Sequence, residues 1–327
     1  FKTPEIQVEF KDLIRGRVMF DAGLFGDIGI ARNLESPLYN FSVVVDDYEM
    51  RITHVIRGEE NLSNTPKQIL LGRALGFPEP LYAHLPLILA PDRSKLSKRF
   101  SEAHFLQYRE QGYLPEAMIN FLALLGWHPA GDQEIFSINE LIEKFNLKRV
   151  QKAGAVFNQE KLDWLNGEYL KKLSAAEIAE RLKPFLKTKK ISVSQKFLKK
   201  AVMVERERMK TLGDFLRLGG FFFELPDYEP HLLTWKNNPP SKIKEVLEKI
   251  VENLNNLPVK NFARDKLTFA LSELIDENDR GTVLWPLRVA VSGQAASPDP
   301  LEIIEILGKE ETIRRIKIAI NKIGLAL

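Results

Sequence analysis

The sequence of 327 residues contains no cysteine. This absence excludes disulfide bonds, cysteine nucleophiles and zinc sites built from thiolates. It also fits the reducing cytosol, and we expect a cytoplasmic protein. The five histidines show neither HxxxH nor HxH spacing, so the sequence predicts no histidine metal site and no zinc.

Long apolar runs are missing as well. No stretch of about eighteen apolar residues occurs, which predicts that no segment spans a membrane. The opening segment FKTPEIQVEFKDLIRG lacks the apolar core of a signal peptide. The chain is long enough for two or three domains with sizeable cores.

Positive charge is distributed unevenly, although the net charge is only +3. Between Arg181 and Lys210 lysine and arginine recur, and the acidic residues are only Glu205 and Glu207. Such a stretch can follow a phosphate backbone, or it can be the solvated face of a helix. Taken alone, the pattern favours the solvated face.

The predicted secondary structure changes near Lys95, from strands with one helix to helices. Before it, short runs rich in valine and isoleucine predict strands, and Thr65–Leu75 is predicted as a helix between the third and fourth runs. Strand, helix and strand in this order predict a parallel α/β unit. The four predicted strands are Ile28–Ala31, Phe41–Val45, Ile52–Ile56 and Leu85–Leu89.

After Lys95 nearly all of the sequence predicts helix. Ser174 and Glu177 form a capping-box pattern at the start of one helix. Another helix is predicted after Pro239, and a last one from about Lys309 to Ile323. The segment ELPDYEPHLLTWKNNPP is predicted to be an irregular connection between two helical parts.

The sharpest short motif is the pentapeptide KLSKR, which contains Lys95, Ser97 and Lys98. It follows an apolar strand and a loop, and open α/β sheets bind ligands at the carboxyl ends of their strands. Lysine supplies a compact charge for phosphate oxygens and serine a hydroxyl donor. Read alone, a basic pentapeptide is more often ordinary surface.

Polar residues also end two of the predicted strands. Asp46 and Asp47 end one, and Arg57, followed closely by Glu60, ends the next. Arg57 could make a bidentate contact with a small carboxylate, and the Tyr39 hydroxyl could hold an amino or carboxyl group. The alternative is that the aspartates form a turn and Arg57 makes a structural salt bridge.

Several segments, taken in order, resemble one family. LYNFSVVVDD, ITHVIRGEENLSNTPKQILL, YAHLPLILAPDRSKLSKR and YREQGYLPEAMINFLALLGW resemble the second catalytic half of bacterial-type glutamyl-tRNA synthetases. KLSKR is similar to the KMSKS signature of class I synthetases. VFNQEKLDWLNGEYL resembles the family's stem-contact region, and GTVLWPLRVAVSGQAASP with ILGKEETIRRI resembles its C-terminal helical domain.

The resemblance implies a multi-domain protein: the C-terminal part of a class I Rossmann-like α/β catalytic domain, a mostly α-helical stem-contact region and an all-α anticodon-binding domain. The HIGH signature of the family is absent, so we expect an incomplete catalytic domain that is inactive alone and has an exposed sheet edge. The implied boundaries are 1–38 for the end of the acceptor-binding insertion, 39–94 for the second half of the catalytic domain, 95–172 for the stem-contact region and 173–327 for the anticodon-binding domain, with a break near 225–240.

The resemblance also implies the substrates and the residues that bind them. The expected substrates are ATP with Mg²⁺, L-glutamate and tRNA(Glu), and the complete protein is expected to be a monomer. Lys95, Ser97 and Lys98 would contact the ATP phosphates, with Lys98 stabilising the transition state of adenylate formation. Tyr39 and Arg57 would bind glutamate.

Four further residues receive roles by resemblance. Asp47 and Glu60 would lie at the acceptor end and the active site, and Arg206 and Arg208 would contact the anticodon. Two local departures occur: Asn61 follows GEE where histidine or tryptophan is common, and KLSKR is followed by Phe-Ser-Glu rather than His-Gly.

The sequence can be compared with three other kinds of protein. A non-catalytic tRNA-binding module or truncated paralogue would share the sequence but not the activity. A glutaminyl-tRNA synthetase would have a β-barrel C-terminal part, whereas this one predicts helices. The short paralogue that modifies a tRNA base lacks an anticodon domain.

Overall fold

The computed structural model describes residues 1–94 and 105–326. The KLSKR motif, with Lys95, Ser97 and Lys98, lies outside the described residues. The chain forms two compact units. The first comprises residues 1–105 and 115–165, and the second comprises residues 106–114 and 166–327.

The first unit contains a four-stranded sheet of order β2-β1-β4-β3. Its strands are β1 (Gln7–Asp12), β2 (Gly16–Asp21), β3 (His54–Gly58) and β4 (Leu81–Leu85). β1 and β2 form an antiparallel hairpin, whereas β3 and β4 pair in parallel. β1 joins β4 in parallel at Asp12, which lies opposite Tyr82.

Two helices belong to the sheet region, α1 (Tyr39–Glu49) and α2 (Thr65–Ala74). α2 connects β3 with β4, because parallel strands need a crossover connection. It begins with Pro66 in its first turn, where a missing N–H costs nothing. The predicted helix and the predicted parallel α/β unit are confirmed.

Two of the four predicted strands are wrong. Phe41–Val45 lies inside α1, so Asp46 and Asp47 belong to a helix and do not end a strand. A short apolar run cannot be assigned to strand or helix by periodicity alone, and this one was too short to decide. Ile28–Ala31 forms no strand, and only an isolated bridge joins Ala31 to Pro37.

The other two predicted strands are displaced. The run at Ile52–Ile56 becomes β3, which begins at His54. Leu85–Leu89 covers the end of β4 and a separate short strand, β5 (Ile88–Leu89). β5 pairs in parallel with β6 (Ala155–Val156).

α3 (Phe105–Gln111) belongs to the second unit except for Phe105. The first unit resumes with α4 (Pro115–Leu124) and α5 (Ile138–Lys144). α5 begins with a capping box between Ser137 and Glu140. Trp127 is buried in a core that also includes Ala83 of β4, so this helical part packs against the sheet. The remaining members of that core are Ile14, Phe136, Leu141 and Val150.

The described residues of the second unit form helices joined by loops, with no strand among them. α6 (Gln159–Lys172) leads into it, and the capping box of Ser174 and Glu177 opens the next helix, as predicted. The further helices are α7 (Ala175–Thr188), α8 (Gln195–Glu205), α9 (Asp214–Leu218), α10 (Pro240–Asn256), α11 (Arg264–Glu277), α12 (Arg280–Ser292), α13 (Pro300–Leu307) and α14 (Lys309–Ala326).

The predicted irregular connection at 224–240 is confirmed. It holds one 3₁₀ helix, Pro230–Leu233, before α10 begins at Pro240. No helix within the described ranges is both long and apolar enough to cross a membrane. The other 3₁₀ helices are Ala22–Phe25, Glu59–Asn61, Leu147–Arg149, Arg206–Arg208, Gly220–Phe222 and Val259–Asn261.

Candidate substrate and tRNA sites

Arg57 lies near the carboxyl end of β3, followed only by Gly58. Its Nη2 donates to Oγ1 of Thr65 and to Oε1 of Gln68, each over 2.8 Å. Its Nε donates to Nε2 of His84 over 3.3 Å. The described residues offer no hydrogen-bond partner to Nη1 and no carboxylate in ion-pair contact, so Nη1 can still donate to a ligand.

The expected bidentate contact is restricted by this arrangement. Both protons of Nη2 and the proton of Nε are already used by neutral acceptors of the protein. A carboxylate would therefore meet the Nη1 end of Arg57. The guanidinium also lies over the ring of Tyr82, 5.9 Å from its centroid, in a cation–π contact.

Gln68 connects the Arg57 side chain to the start of α1. Its Nε2 donates to Oδ1 of Asn40 over 3.0 Å, and Asn40 is the neighbour of Tyr39. Tyr39 is the first residue of α1 and is 56% exposed. Tyr39 and Arg57 thus lie on elements that Gln68 joins, and reasoning from the residues had not singled out Gln68 or Asn40.

Asp47 lines a cleft of about 480 Å³ together with Gln68 and Tyr82. Burial raises the pKa of the Asp47 carboxyl, Arg57 opposes that rise, and Asp46 adds to it. Burial also raises the pKa of Tyr82 to about 12, so its hydroxyl stays protonated. The Asp47 carboxylate is thus close enough to Arg57 for its pKa to respond, although Arg57 itself does not line this cleft.

Glu60 lies in the 3₁₀ helix that follows β3. Its carboxylate lies over Gly58, so a Cβ atom added at position 58 would require the end of the Glu60 side chain to move. Neighbouring Glu59 pairs with Arg15 and accepts a hydrogen bond from the Leu87 backbone over 3.1 Å. Glu59 thereby holds the segment that leads from β4 towards residue 94.

The two candidate anticodon residues lie in the second unit, in the 3₁₀ helix after α8. Nη1 of Arg208 donates to Oε2 of Glu205 over 2.8 Å, and its Nη2 donates to the Ala296 carbonyl over 3.0 Å. Nη1 of Arg206 donates to the Leu173 carbonyl over 3.4 Å. Burial raises the pKa of Glu205, and Arg208 opposes that rise.

Comparisons with known proteins cover both units. Residues 1–164 match the catalytic domain of class I tRNA synthetases (E and Q), and residues 177–320 match an anticodon binding domain. The chain is 42% identical over 317 residues to glutamate–tRNA ligase 2 of Thermoanaerobacter pseudethanolicus, covering 95% of this chain and 65% of that relative. The chain belongs to the glutamate–tRNA ligase family of class I tRNA synthetases.

Similarity to other glutamate–tRNA ligases supports the same family assignment. Glutamate–tRNA ligase 1 of Caldanaerobacter subterraneus is 41% identical, over 98% of this chain and 67% of the relative. The crystal structure of a glutamate tRNA ligase from Elizabethkingia meningosepticum, in complex with its amino acid, matches with a TM-score of 0.87 at 34% identity. That match covers 98% of this chain and 67% of the solved chain.

These comparisons confirm the resemblance found in the sequence and the fold class inferred from it. A catalytic domain of class I is followed by an anticodon-binding domain. The chain spans about two-thirds of the length of the curated relatives that it matches. Within the described residues, no group of three or more histidine, aspartate or glutamate side chains is placed to hold a metal ion.

Proposed function

We propose that this chain supplies the KLSKR-containing part and the anticodon-binding part of a glutamate–tRNA ligase. The reaction joins L-glutamate to tRNA(Glu) and converts ATP to AMP and diphosphate. The observation in the structure that supports it best is Arg57, a charged side chain at a strand end whose Nη1 has no partner among the described residues. We further propose that the complete protein works as a cytoplasmic monomer in translation.

The proposed reaction has two steps. An oxygen of the glutamate α-carboxylate attacks the α-phosphorus of magnesium-bound ATP, and the bond to the departing diphosphate breaks. The terminal ribose hydroxyl of tRNA then attacks the glutamyl carbonyl, and AMP leaves. Neither step needs a nucleophilic side chain, because positioning and fixed charges lower both barriers.

Each proposed residue has a defined task in these steps. Arg57 and Tyr39 hold glutamate, while Lys95, Ser97 and Lys98 contact the ATP phosphates. Lys98 neutralises charge that develops on the leaving diphosphate. Asp47 and Glu60 border the acceptor end of the tRNA.

The proposed tRNA contacts extend along the second unit. We assign the acceptor-insertion end, catalytic half, stem-contact region and anticodon-binding domain to residues 1–38, 39–94, 95–172 and 173–327, with a break near 225–240. Arg206 and Arg208 contact the anticodon. The basic faces of α7 and α8 follow the phosphate backbone, because their charges suit an anionic partner.

Adenylate formation tests the catalytic proposal. The fused enzyme, in which this chain is joined to the part of the Thermoanaerobacter ligase outside the match, is assayed for glutamate-dependent exchange between ATP and pyrophosphate. We expect exchange, and we expect Lys98→Ala to reduce its rate by about two orders of magnitude or more, as for loss of one transition-state contact. A rate within a few-fold of the parent would remove Lys98 from the mechanism.

Binding of tRNA by the chain alone separates the ligase from a non-catalytic tRNA-binding module. The chain is titrated with tRNA(Glu) and with an anticodon-altered version at low and moderate salt. Preference for the correct anticodon together with exchange by the fused enzyme supports the ligase. The same preference without exchange supports the binding module, and equal, strongly salt-dependent binding shows only a basic surface.

A further inference from the structure

Asp12 and His84 form a buried pair behind Arg57. Nδ1 of His84 lies 2.6 Å from Oδ2 of Asp12, and neither side chain is exposed to solvent. Asp12 also accepts hydrogen bonds from the backbone N–H groups of Ile14, Arg15 and His84, at 2.8–3.1 Å. The pair thus links the last residue of β1 to the penultimate residue of β4.

The hydrogen bonds around His84 determine its tautomer. Arg57 can only donate, so the Nε2 atom that faces it must accept. An ionised Asp12 can only accept, so Nδ1 must carry the proton and donate to Oδ2. The Thr65 hydroxyl, 2.9 Å from Nε2, completes the same cluster and accepts from Nη2 of Arg57.

We infer that Asp12 and His84 are positioning residues for Arg57: Asp12 fixes the Nδ1–H tautomer of His84, and His84 then holds the guanidinium so that Nη1 points to the substrate. This inference rests on the proposed role of Arg57 in binding glutamate. Arginine has many rotamers, and a side chain fixed before binding loses less entropy when it meets its ligand. Thr65 and Gln68 hold the Nη2 edge, and His84 holds the Nε edge.

A merely structural histidine would not need this arrangement. The backbone N–H groups already supply hydrogen bonds to both oxygens of Asp12. The imidazole of His84 nevertheless connects this fixed carboxylate to the Arg57 side chain near the end of β3. The path from Asp12 through His84 to Arg57 contains no water-exposed atom of the pair. An orienting partner behind a ligand-binding group commonly has this form.

Nuclear magnetic resonance of the chain itself tests the tautomer and the ordering, whatever its activity. With ¹⁵N-labelled histidine and arginine, we expect the His84 imidazole to carry its proton on Nδ1. We expect the Arg57 Nε–H signal to be sharp and slow to exchange, with Arg57→Lys providing its assignment. In His84→Leu that signal should broaden or vanish, whereas in His84→Gln, whose amide oxygen can accept, it should persist.

Kinetics of the fused enzyme test the consequence for the substrate. We expect His84→Leu to raise the KM for glutamate about tenfold or more, as for a misplaced binding group, with the KM for ATP unchanged. His84→Gln should recover most of that loss. Asn120→Ala is the matched control, because Asn120 is another fully buried polar residue of the same unit and holds the Glu134 carbonyl and the Phe136 N–H.

Three results would overturn the inference: a proton on Nε2 of His84, an Arg57 signal equally ordered in His84→Leu, or equal KM values for glutamate in His84→Leu and Asn120→Ala. Failure of the proposed function looks different. The parent fused enzyme would then show no glutamate-dependent exchange, although the resonance signals of His84 and Arg57 would still behave as expected.

Discussion

Arg208 donates a hydrogen bond to Glu205 over 2.8 Å, and the Glu205 side chain is completely buried. The arginine proposed to read the anticodon is therefore also the partner of a buried carboxylate. Arg208 bonds the Oε2 atom, and the buried Oε1 atom has no hydrogen-bond partner among the described residues. A substitution of Arg208 is consequently expected to act on stability as well as on the proposed anticodon contact.

Arg208→Gln should lower the free energy of unfolding by about 2–4 kcal/mol at neutral pH, because a buried charge loses its partner. Burial raises the pKa of Glu205 above 4.5, and without Arg208 the rise is larger. A raised pKa in the folded state means that stability is full below 4.5 and is lost as pH rises through the folded pKa. The destabilisation should therefore shrink in acid, and denaturant unfolding at pH 7 and pH 5 measures it.

A double variant separates the two roles of Arg208. Glu205→Gln combined with Arg208→Gln removes the buried charge together with its partner, so we expect the double variant to be more stable than Arg208→Gln alone. Discrimination between tRNA anticodons should remain lost in both proteins if Arg208 contacts a base. Recovery of discrimination in the double variant would show that Arg208 acts only through folding.

The first unit should lose stability in mild acid because of His84. Burial lowers the pKa of His84 below 6.5, aided by Arg57 and Arg15 and opposed by Asp12. A lowered pKa means that the unfolded chain binds the proton more readily, so stability is full above 6.5 and falls as pH drops below it. The free energy of unfolding, measured from pH 8 to pH 5, should decline in the parent and less steeply in His84→Gln.

Asp12 should also cause a loss of stability as pH falls, but at a lower pH than His84. Burial tends to raise its pKa, but the hydrogen bonds from Arg15, His84 and Ile14 together lower it below 3.8. The stability that ionised Asp12 contributes is therefore present above 3.8 and is lost only below that value. A decline of equal slope in parent and His84→Gln between pH 8 and pH 5 would remove His84 as its cause.

Gly281 tests the packing of the second unit. A Cβ atom at this position would lie inside contact distance of the Trp235 ring, whose centroid is 5.1 Å from that of Trp285. We expect Gly281→Ala to cost about 1–3 kcal/mol of unfolding free energy by overpacking and to change tryptophan fluorescence. Gly220→Ala is the control, since nothing lies within 4 Å of its added atom. Equal free energies of unfolding for the two variants would show that the Trp235 and Trp285 rings can move to admit the added methyl group without loss of stability.

The family could be predicted because its motifs occur in a fixed order along the chain. The helices of the second unit could be predicted because capping and apolar spacing involve residues close in sequence. The Ser174–Glu177 capping box needs only four consecutive residues to be recognised. The Asp12–His84 pair joins residues 72 positions apart and carries no local pattern. Val43–Val45 was predicted as part of a strand for a different reason: three consecutive valines show no helical spacing, and α1 has no buried residue to mark an apolar face.

The free edge of β3 should govern self-association of the chain. β3 is one edge of the sheet, and Ile56 in it is 51% exposed. β2, the other edge, carries the charged residues Arg17 and Asp21, which are typical protection for an edge strand. We expect Ile56→Lys to reduce self-association, measured by sedimentation velocity over a range of concentrations.

Met19→Lys on β2 is the matched control, because Met19 is 58% exposed on an edge that already carries charge. Both substitutions are on the surface, so each should change the free energy of unfolding by about 0.5 kcal/mol or less. A larger drop in self-association for Ile56→Lys than for Met19→Lys would identify β3 as the edge strand through which the chains associate. An equal drop for both variants would mean that added positive charge alone keeps the chains apart, and the edge of β3 would then have no special part in association.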